Sequence, residues 1–466
     1  MADVLLTHSN HLYNDRKQVR KMQPCPPLQT LLAAACLRRE GYEVALFDAT
    51  LEDPKAGFQR ALEEHRPRLV AVCEDNFNFL TKMCLLRNRE LACWMAGTAR
   101  RADIPAIANG SDASDHAAKY LHAGFDYVLA GEVEESVVEV ARCVLERSGE
   151  PRQIRGISFL EAGDLRHTAP RPPIRDLDAL PMPAWDLVDA GLYREAWRAA
   201  HGYFSLNLVS SRGCPYRCNW CAKPIWGDNY RCHSAQRMAA EMLEVKTRFA
   251  PDQVWFADDI FALSQVWTHE FAAAVEAAGA QIPFKMQSRC DLMTRETVKD
   301  LRRAGCAEVW MGVESGAQQV LDAMDKGTRV WQIFEARENL RRHDIRACYF
   351  LQFGYPGETW TEIEKTIELV RDTQPDDIGV SVSYPLPGTA FHQTVSSQIG
   401  SKENWADSED LDMMFQGAYT TEFYRALADA LHEEVRHGGP AAATSWKRVG
   451  ALRETCARKD LLWISC

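Results

Sequence analysis

Two runs of alternating strand and helix patterns, divided by one proline-dense stretch, constrain this chain more than any other feature. In the first run, apolar strand patterns at Val4–Thr7, Val44–Asp48, Leu69–Glu74, Pro105–Asn109 and Tyr127–Ala130 alternate with helical periodicity at Leu28–Arg39, Phe79–Arg101 and Ala113–Ala123. Such alternation predicts a doubly wound parallel sheet covered by helices. Ligands of these sheets bind beyond the carboxyl ends of the strands. The loops of interest are therefore His8–Asp15, Glu74–Asn78, Asn109–Asp112 and Gly131–Glu134.

The divider lies in Ile154–Leu187 and contains PRPPIRDLDALPMPAWDL. Proline fixes φ and extends its neighbours, so the stretch reads as an ordered linker. The second run has strand patterns at Leu206–Ser210, Gln253–Asp258, Pro283–Ser288, Ala307–Glu314, Ala347–Phe353 and Ile378–Ser383, with helical patterns such as Ala235–Thr247 and Arg295–Ala304 between them. Six βα units predict a full or partial (β/α)6 barrel of the TIM type, with its site at the C-terminal ends of the strands. Trp405–Val435 is aromatic, then helical, and is expected to form a small cap. The predicted domains are 1–150, a linker at 151–203, a barrel at 204–400 and a helical cap at 401–466.

Directly after the first barrel strand comes SSRGCPYRCNWCAKP. Cys214, Cys218 and Cys221 stand in C-x3-C-x2-C spacing, which lets three thiolates on one loop converge on one metal centre. Three thiolates leave one iron of a four-iron cluster open to bind something else. The alternative is structural zinc, with Cys232 or His233 as the fourth ligand. The loop's place after a barrel strand favours the catalytic cluster.

Composition narrows the rest. The net charge is -11, which disfavours nucleic acid as the main ligand. The basic residues Lys447, Arg448, Arg453, Arg458 and Lys459 read as a solvated helix face. MADVLLTHSNHLYNDRKQ has no long apolar core, so no secretory signal is expected, and no apolar run reaches the ~18 residues of a membrane span. Fifteen cysteines without a signal point to reduced thiols and a cytoplasmic location.

The cysteine loop resembles that of the radical S-adenosylmethionine family, and specifically its cobalamin-binding branch. The resemblance continues in the family's order through FADDIFAL (Phe256–Leu263), MQSRCDL (Met286–Leu292), AGCAEVWMGVESG (Ala304–Gly316), FGYPGETWTEIEKTI (Phe353–Ile367) and YPLPGT (Tyr384–Thr389). It implies a [4Fe-4S] cluster on Cys214, Cys218 and Cys221, whose open iron binds S-adenosylmethionine. It also implies S-adenosylmethionine contacts from Trp220, Asp258, Gln287, Arg289, Glu314 and Gly354. Strand alternation independently puts Trp310, Gly312 and Glu314 on one face, and Gln287 with Arg289 on one face of their strand. For Gln287 and Arg289 a structural ion pair at the barrel rim is the alternative. Of Asp258 and Asp259, one is expected to face the site and the other to cap the following helix.

The first domain resembles the branch's Rossmann- or flavodoxin-like cobalamin domain through CPPLQTLLAAACLRREGYEVALFDA, ANGSDAS and FDYVLAGEVEES. Asn10, Glu74, Asn76, Asn109, Gly110, Ser111, Gly131 and Glu132 would then surround the cobalamin. The common cobalt-ligand motif D-x-H-x-x-G is absent, and His8, His11 and His116 read as solvated histidines rather than ligands. Without cobalamin, the sheet would be a nucleotide or protein-docking domain.

The resemblance implies a methyltransferase acting on carbon or phosphorus of a small molecule: cobalamin takes the methyl of one S-adenosylmethionine, and a second is reduced to a 5′-deoxyadenosyl radical. An external electron donor of flavodoxin or ferredoxin type is implied. A radical cyclase would carry the same signature, and a non-catalytic cobalamin or redox sensor is the third reading. Transfer-RNA methylthiotransferases share the cysteine loop, but the acidic balance disfavours them. Trp226, Trp255, Trp310, Tyr349, Tyr355 and Tyr384 are either pocket lining or core.

Overall fold

The computed structural model describes residues 1–78, 86–223, 225–399 and 411–456. The expected helical start at 79–85, Trp405, Arg458 and Lys459 lie outside the described residues.

The first domain is built on β1 (Val4–Thr7), β2 (Val44–Phe47), β3 (Leu69–Cys73), β4 (Ala106–Asn109) and β5 (Tyr127–Leu129), all parallel, in the order β2-β1-β3-β4-β5. These strands are almost fully buried, as a sheet with helices on both faces requires. The order reverses between β1 and β3, which places a ligand crevice at their carboxyl ends. The helix Pro54–His65 was not among the predicted elements, although its signals are present. Asp53 caps it by accepting from the Lys55 and Ala56 N–H groups, and Pro54 starts it.

The linker expectation needs correction. Its early part forms a hairpin, β6 (Ile157–Glu161) and β7 (Asp164–His167), that extends the first sheet antiparallel to β5. The two-residue turn Ala162–Gly163 has φ of +51° and +90°, the twist a tight hairpin needs. The prolines come only after this hairpin. The helix Ala190–His201 then fastens the two domains: Trp197 Nε1 donates to the Pro24 carbonyl at 2.7 Å, and the Tyr193 hydroxyl to Asp48 Oδ2 at 2.6 Å.

The second sheet is an open, all-parallel, six-stranded barrel. It runs from β8 (Ser205–Leu208), past a short antiparallel pair β9 (Ser211–Arg212) and β10 (Arg231–Cys232), to β11 (Gln253–Phe256), β12 (Phe284–Ser288), β13 (Cys306–Glu314), β14 (Arg346–Phe353) and β15 (Asp377–Val382). Val254, Phe256, Phe284, Met286, Val309, Met311, Ala347, Tyr349 and Leu351 are buried with the outer helices in one core. The intervening residues line the concave face. Leu28, Leu31, Leu32 and Phe77 of the first domain belong to that same core, so the domains share packed apolar side chains. The helices Thr421–His437 and Ala443–Cys456 follow the barrel. Among the described residues no helix is long and apolar enough to cross a membrane.

Candidate active site

Between β9 and β10 the chain makes a loop, residues 213–230, that starts where β8 ends. The pairing Arg231↔Arg212 and Cys232↔Ser211 pinches its base shut. Gly213 sits at φ +80°, where an added Cβ would stand 2.4 Å from the Asn229 carbonyl oxygen, so only glycine fits. Lys223 reaches across the loop to the carbonyls of Cys214 (3.0 Å) and Tyr216 (2.5 Å). Asn219 ties the loop to its neighbours, donating to Ala323 O at 2.8 Å and accepting from the Tyr355 hydroxyl at 3.0 Å.

Cys214, Cys218 and Cys221 are each half-buried, and Cys214 and Cys218 lie near enough to act on the Cys221 thiol. Burial pushes the Cys221 thiol up to about 12, and Cys218, Asp259 and Cys214 add to the rise. Burial also raises the Cys214 thiol, with Asp259 and Cys218 adding. Thiols held this way become thiolates only when a positive centre compensates them, which fits a donor set for iron. Among the described residues no three His, Cys, Asp or Glu side chains close around a single metal ion. The fourth ligands of the zinc alternative are engaged elsewhere. His233 Nδ1 is 3.0 Å from Asp178, and Cys232 hydrogen-bonds to Tyr230.

Trp220 packs beside Ala317, Val320, Met324 and Phe391, and its buried Nε1 has no partner. Asp258 differs from expectation. It is fully buried and accepts from Ser210 N (3.1 Å), Ser210 Oγ (2.7 Å) and Ser211 Oγ, so it clasps the start of the cysteine loop to the end of β11. Its neighbour Asp259 lies near enough to the cysteine loop to raise the Cys214 and Cys221 thiols. Neither caps the next helix, because Ser264 does. Gln287 donates to the Asp258 carbonyl at 2.6 Å. Arg289 pairs with Asp291 at 2.9 Å, donates to Lys326 O at 2.8 Å, and lies 3.7 Å from the Tyr216 ring centroid. It is therefore an ion-paired brace under the cysteine loop.

Glu314 ends β13 with φ +62°, an uncommon conformation for a residue with a side chain. Its Oε1 pairs with Lys326 Nζ at 2.9 Å, both groups nearly excluded from water. A Cβ at Gly312 would lie 2.7 Å from Lys326 Nζ and 2.8 Å from Glu314 Oε1, so the glycine makes room for the pair. Lys326 was missed by sequence reasoning. Its only local signal is the lysine before Gly327, which has φ +69°.

Gly354, at φ +75°, donates its N–H to Glu358 Oε2 at 2.5 Å. Burial pushes the Glu358 carboxyl up to about 8; the Gly354 N–H opposes this and Glu362 adds to it. The folded chain thus keeps a proton that the unfolded chain releases above the ordinary value of 4.5. Stability from this group is full at low pH and falls as pH rises from 4.5 to about 8. Glu358→Gln should remove that slope, worth up to ~1.4 kcal/mol per pH unit. Urea denaturation of both proteins at pH 6 and pH 9 checks it.

In the first domain, the loops after β1, β3, β4 and β5 interlock. Asn76 Nδ2 bonds Gln29 Oε1 (2.7 Å) and Asn109 Oδ1 (3.3 Å); Asn109 Nδ2 bonds the carbonyls of Leu129 (2.9 Å) and Gly131 (3.1 Å); and Ser111 N donates to Asn76 Oδ1 (3.2 Å). Asn76 and Asn109 thus serve each other and the backbone. Glu74 Oε1 accepts from Ser9, and a Cβ at Gly110 would stand 2.9 Å from the Glu74 Cγ. Asn10 is half-buried on the β1 loop, and Gly131 turns at φ +79°. Glu74 Oε2, Gln29 Nε2 and His8 Nδ1 are buried without partners, an arrangement of both donors and acceptors that suits a ligand with an amide periphery such as cobalamin. His8 is not solvated. It is 1% exposed and bonded to Asp48 Oδ1 at 3.0 Å. His11 bonds the Ala49 carbonyl at 2.8 Å, and His116 lies 3.7 Å from Asp112.

Glu132 is turned away from this crevice by its partners. Its carboxylate meets Arg212 at 3.1 Å, Arg231, and the Ile174 N–H. Arg212 also pairs with Glu134 at 2.5 Å and lies over the stacked rings of Phe77 and Trp226. The loops after β3 and β5 therefore grip the base of the cysteine loop directly.

This geometry agrees with the comparisons. Residues 208–370 match the model of the Radical SAM superfamily. Over both domains the fold is shared with a solved two-domain enzyme. The structure of the cobalamin-dependent S-adenosylmethionine radical enzyme OxsB, with aqua-cobalamin and S-adenosylmethionine bound, aligns with a TM-score of 0.73 over 97% of this chain and 71% of that one, at 16% identity. Among curated relatives, an uncharacterized methyltransferase of Pyrococcus horikoshii is 27% identical over 62% of each chain. An anaerobic magnesium-protoporphyrin IX monomethyl ester cyclase of Cereibacter sphaeroides is 27% identical over 59% of this chain and 45% of its own. The hopanoid C-3 methylase of Methylococcus capsulatus is 26% identical over 81% of this chain and 70% of its own. The match to the first two spans less than two thirds of their length.

Proposed function

We propose that the chain is a cobalamin-dependent radical S-adenosylmethionine methyltransferase acting on an unactivated carbon or phosphorus of a small-molecule or lipid-like substrate. The observation that carries this is the grip of Arg212 by Glu132 and Glu134, which sets a cobalamin-type crevice directly against a three-cysteine loop. When bound, a cluster with an open iron supplies the electron that splits S-adenosylmethionine, and cobalamin supplies a methyl carrier. The chain's own part is to hold and to exclude water. Cys214, Cys218 and Cys221 would ligate the cluster. The Glu314–Lys326 pair, one carboxylate and one ammonium, suits the zwitterionic end of an amino-acid cosubstrate, which Trp220 and Gly354 would also contact. Crevice residues Asn10, Glu74, Asn76, Asn109, Gly110, Ser111 and Gly131 would frame cobalamin. The electron would come from an external flavodoxin- or ferredoxin-type donor, in the cytoplasm.

The test is the product ratio under strict anaerobiosis with a strong reductant. A methyltransferase needs both polar and radical use of S-adenosylmethionine, so S-adenosylhomocysteine and 5′-deoxyadenosine should form in comparable amounts. Labelled methyl should appear in an extracted product. The cyclase among the relatives supports the second reading, in which 5′-deoxyadenosine forms with little S-adenosylhomocysteine and no label transfer.

A further inference from the structure

A large apolar side chain on a central barrel strand normally faces the helices, yet Phe350, midway along β14, is 37% exposed on the concave face. Its register partners on both sides are glycines, Gly312 on β13 and Gly379 on β15. Trp310 continues the surface. Its ring centroid is 4.9 Å from that of Phe350, with 31° between the planes. The indole reaches from β13 across β14 to β15, because a Cβ on Gly379 would stand 3.5 Å from Trp310 Cζ3 and 3.1 Å from Phe350 Cδ1. A side chain at Gly379 would press on Phe350 and extend against Trp310, so the glycine leaves the two rings their place over the sheet. The indole N–H is fixed at 2.8 Å from Glu308 Oε1, which sets the ring's orientation.

The floor has polar edges. Gln287 and the Glu314–Lys326 pair bound it toward the C-terminal ends of the strands, and the Glu308–Arg346 pair bounds it toward the N-terminal ends. Trp255 is half-buried on the same face of β11. An apolar floor with polar groups only at its edges binds through stacking and desolvation, and orients its ligand through the rim. Of the aromatics weighed from sequence, Tyr349 faces the outer core and Trp226 stacks on Phe77, so neither contributes.

We infer that Trp310 and Phe350 form the floor of the substrate subsite, and that the substrate presents a flat, conjugated, largely apolar ring system to it. This rests on the function proposed above. Two partly exposed rings side by side offer apolar aromatic surface that a planar conjugated partner covers by stacking.

The test uses the anaerobically reconstituted holoenzyme with S-adenosylmethionine and two probes in equilibrium dialysis: 2-naphthoate and its saturated counterpart decahydro-2-naphthoate. 2-Naphthoate should bind saturably and at least tenfold more tightly than the saturated acid. Phe350→Leu and Gly379→Val should each weaken it at least tenfold, with iron content and the cluster's visible spectrum confirming that both variants are folded. Val266→Ala, on an exposed outer helix, should leave it unchanged. Equal affinity for both acids, no binding of 2-naphthoate, or binding indifferent to both floor variants would overturn the inference. If the wild type cleaves S-adenosylmethionine yet ignores 2-naphthoate, only the floor falls. If it neither holds iron nor cleaves the cosubstrate, the function falls first.

Discussion

Replacing Cys214, Cys218 and Cys221 together by alanine should turn a brown anaerobic protein colourless, taking iron from about four atoms per chain to none. Cleavage of S-adenosylmethionine should disappear with it. The expectation follows from how the loop is built. Its base is closed by β9 and β10, its span is tied by Lys223 and Asn219, and the three thiols are the groups it brings together. Because those anchors use no thiol of the three cysteines, the triple variant should stay folded, with an unchanged far-ultraviolet spectrum. Cys232→Ala is the control. That thiol serves Tyr230 beside β9, so its loss should leave iron and cleavage near wild type. Iron retained in the triple variant, or stoichiometric zinc in the wild type, would remove the cluster and the function built on it.

The strands of both sheets could be read from sequence because their burial is two-sided or strictly alternating. Val4–Thr7 and Leu69–Cys73 are continuous apolar runs, and β13 buries Val309, Met311 and Val313 while turning Trp310 and Gly312 the other way. The hairpin at 157–167 was hidden because prolines soon after it dominate the local composition, although ISFLE and the Ala162–Gly163 turn carry strand and turn signals. The cysteines were readable because their spacing is itself the chemistry. Lys326 was not, because it reaches Glu314 from a turn twelve residues later and nothing local marks that meeting. The same limit put Asp258 among the expected cosubstrate contacts, although Ser210 and Ser211 occupy it. Adjacent residues at a strand end point opposite ways, and only the positions of Ser210 and Ser211 decide which carboxylate is consumed by the scaffold. Partnership also decided the case of Glu132. Read as a crevice residue, it lies in an ion pair whose partners are 80 and 99 residues away.

That ion pair should yield the largest single-site loss of stability. Arg212 is 1% exposed, and its carboxylates Glu132 and Glu134 are 5% and 1% exposed. Removing the guanidinium leaves two buried carboxylates, with Arg231 and the Ile174 N–H still on Glu132. Breaking a buried pair on one side costs about 3–5 kcal/mol, because the surviving charge is desolvated without compensation. Arg212→Met is the sharper choice of variant. Methionine keeps contact with the stacked Phe77 and Trp226 rings, 4.8 Å apart, so the loss reports charge rather than a cavity. Adding Glu134→Gln to Arg212→Met should restore roughly half of the loss, since the second change removes the uncompensated charge that the first creates. Urea denaturation of the two single variants and the double variant forms the cycle. If Arg212→Met costs under about 1 kcal/mol, or the double variant is no better than the single, the grip between domains is not electrostatic. Function should respond beyond stability. With β9 released from the β3 and β5 loops, the crevice and the cysteine loop lose their fixed spacing. The ratio of 5′-deoxyadenosine to S-adenosylhomocysteine should then rise in Arg212→Met while iron content per folded chain holds, and the conservative Arg212→Lys should recover part of the wild-type ratio.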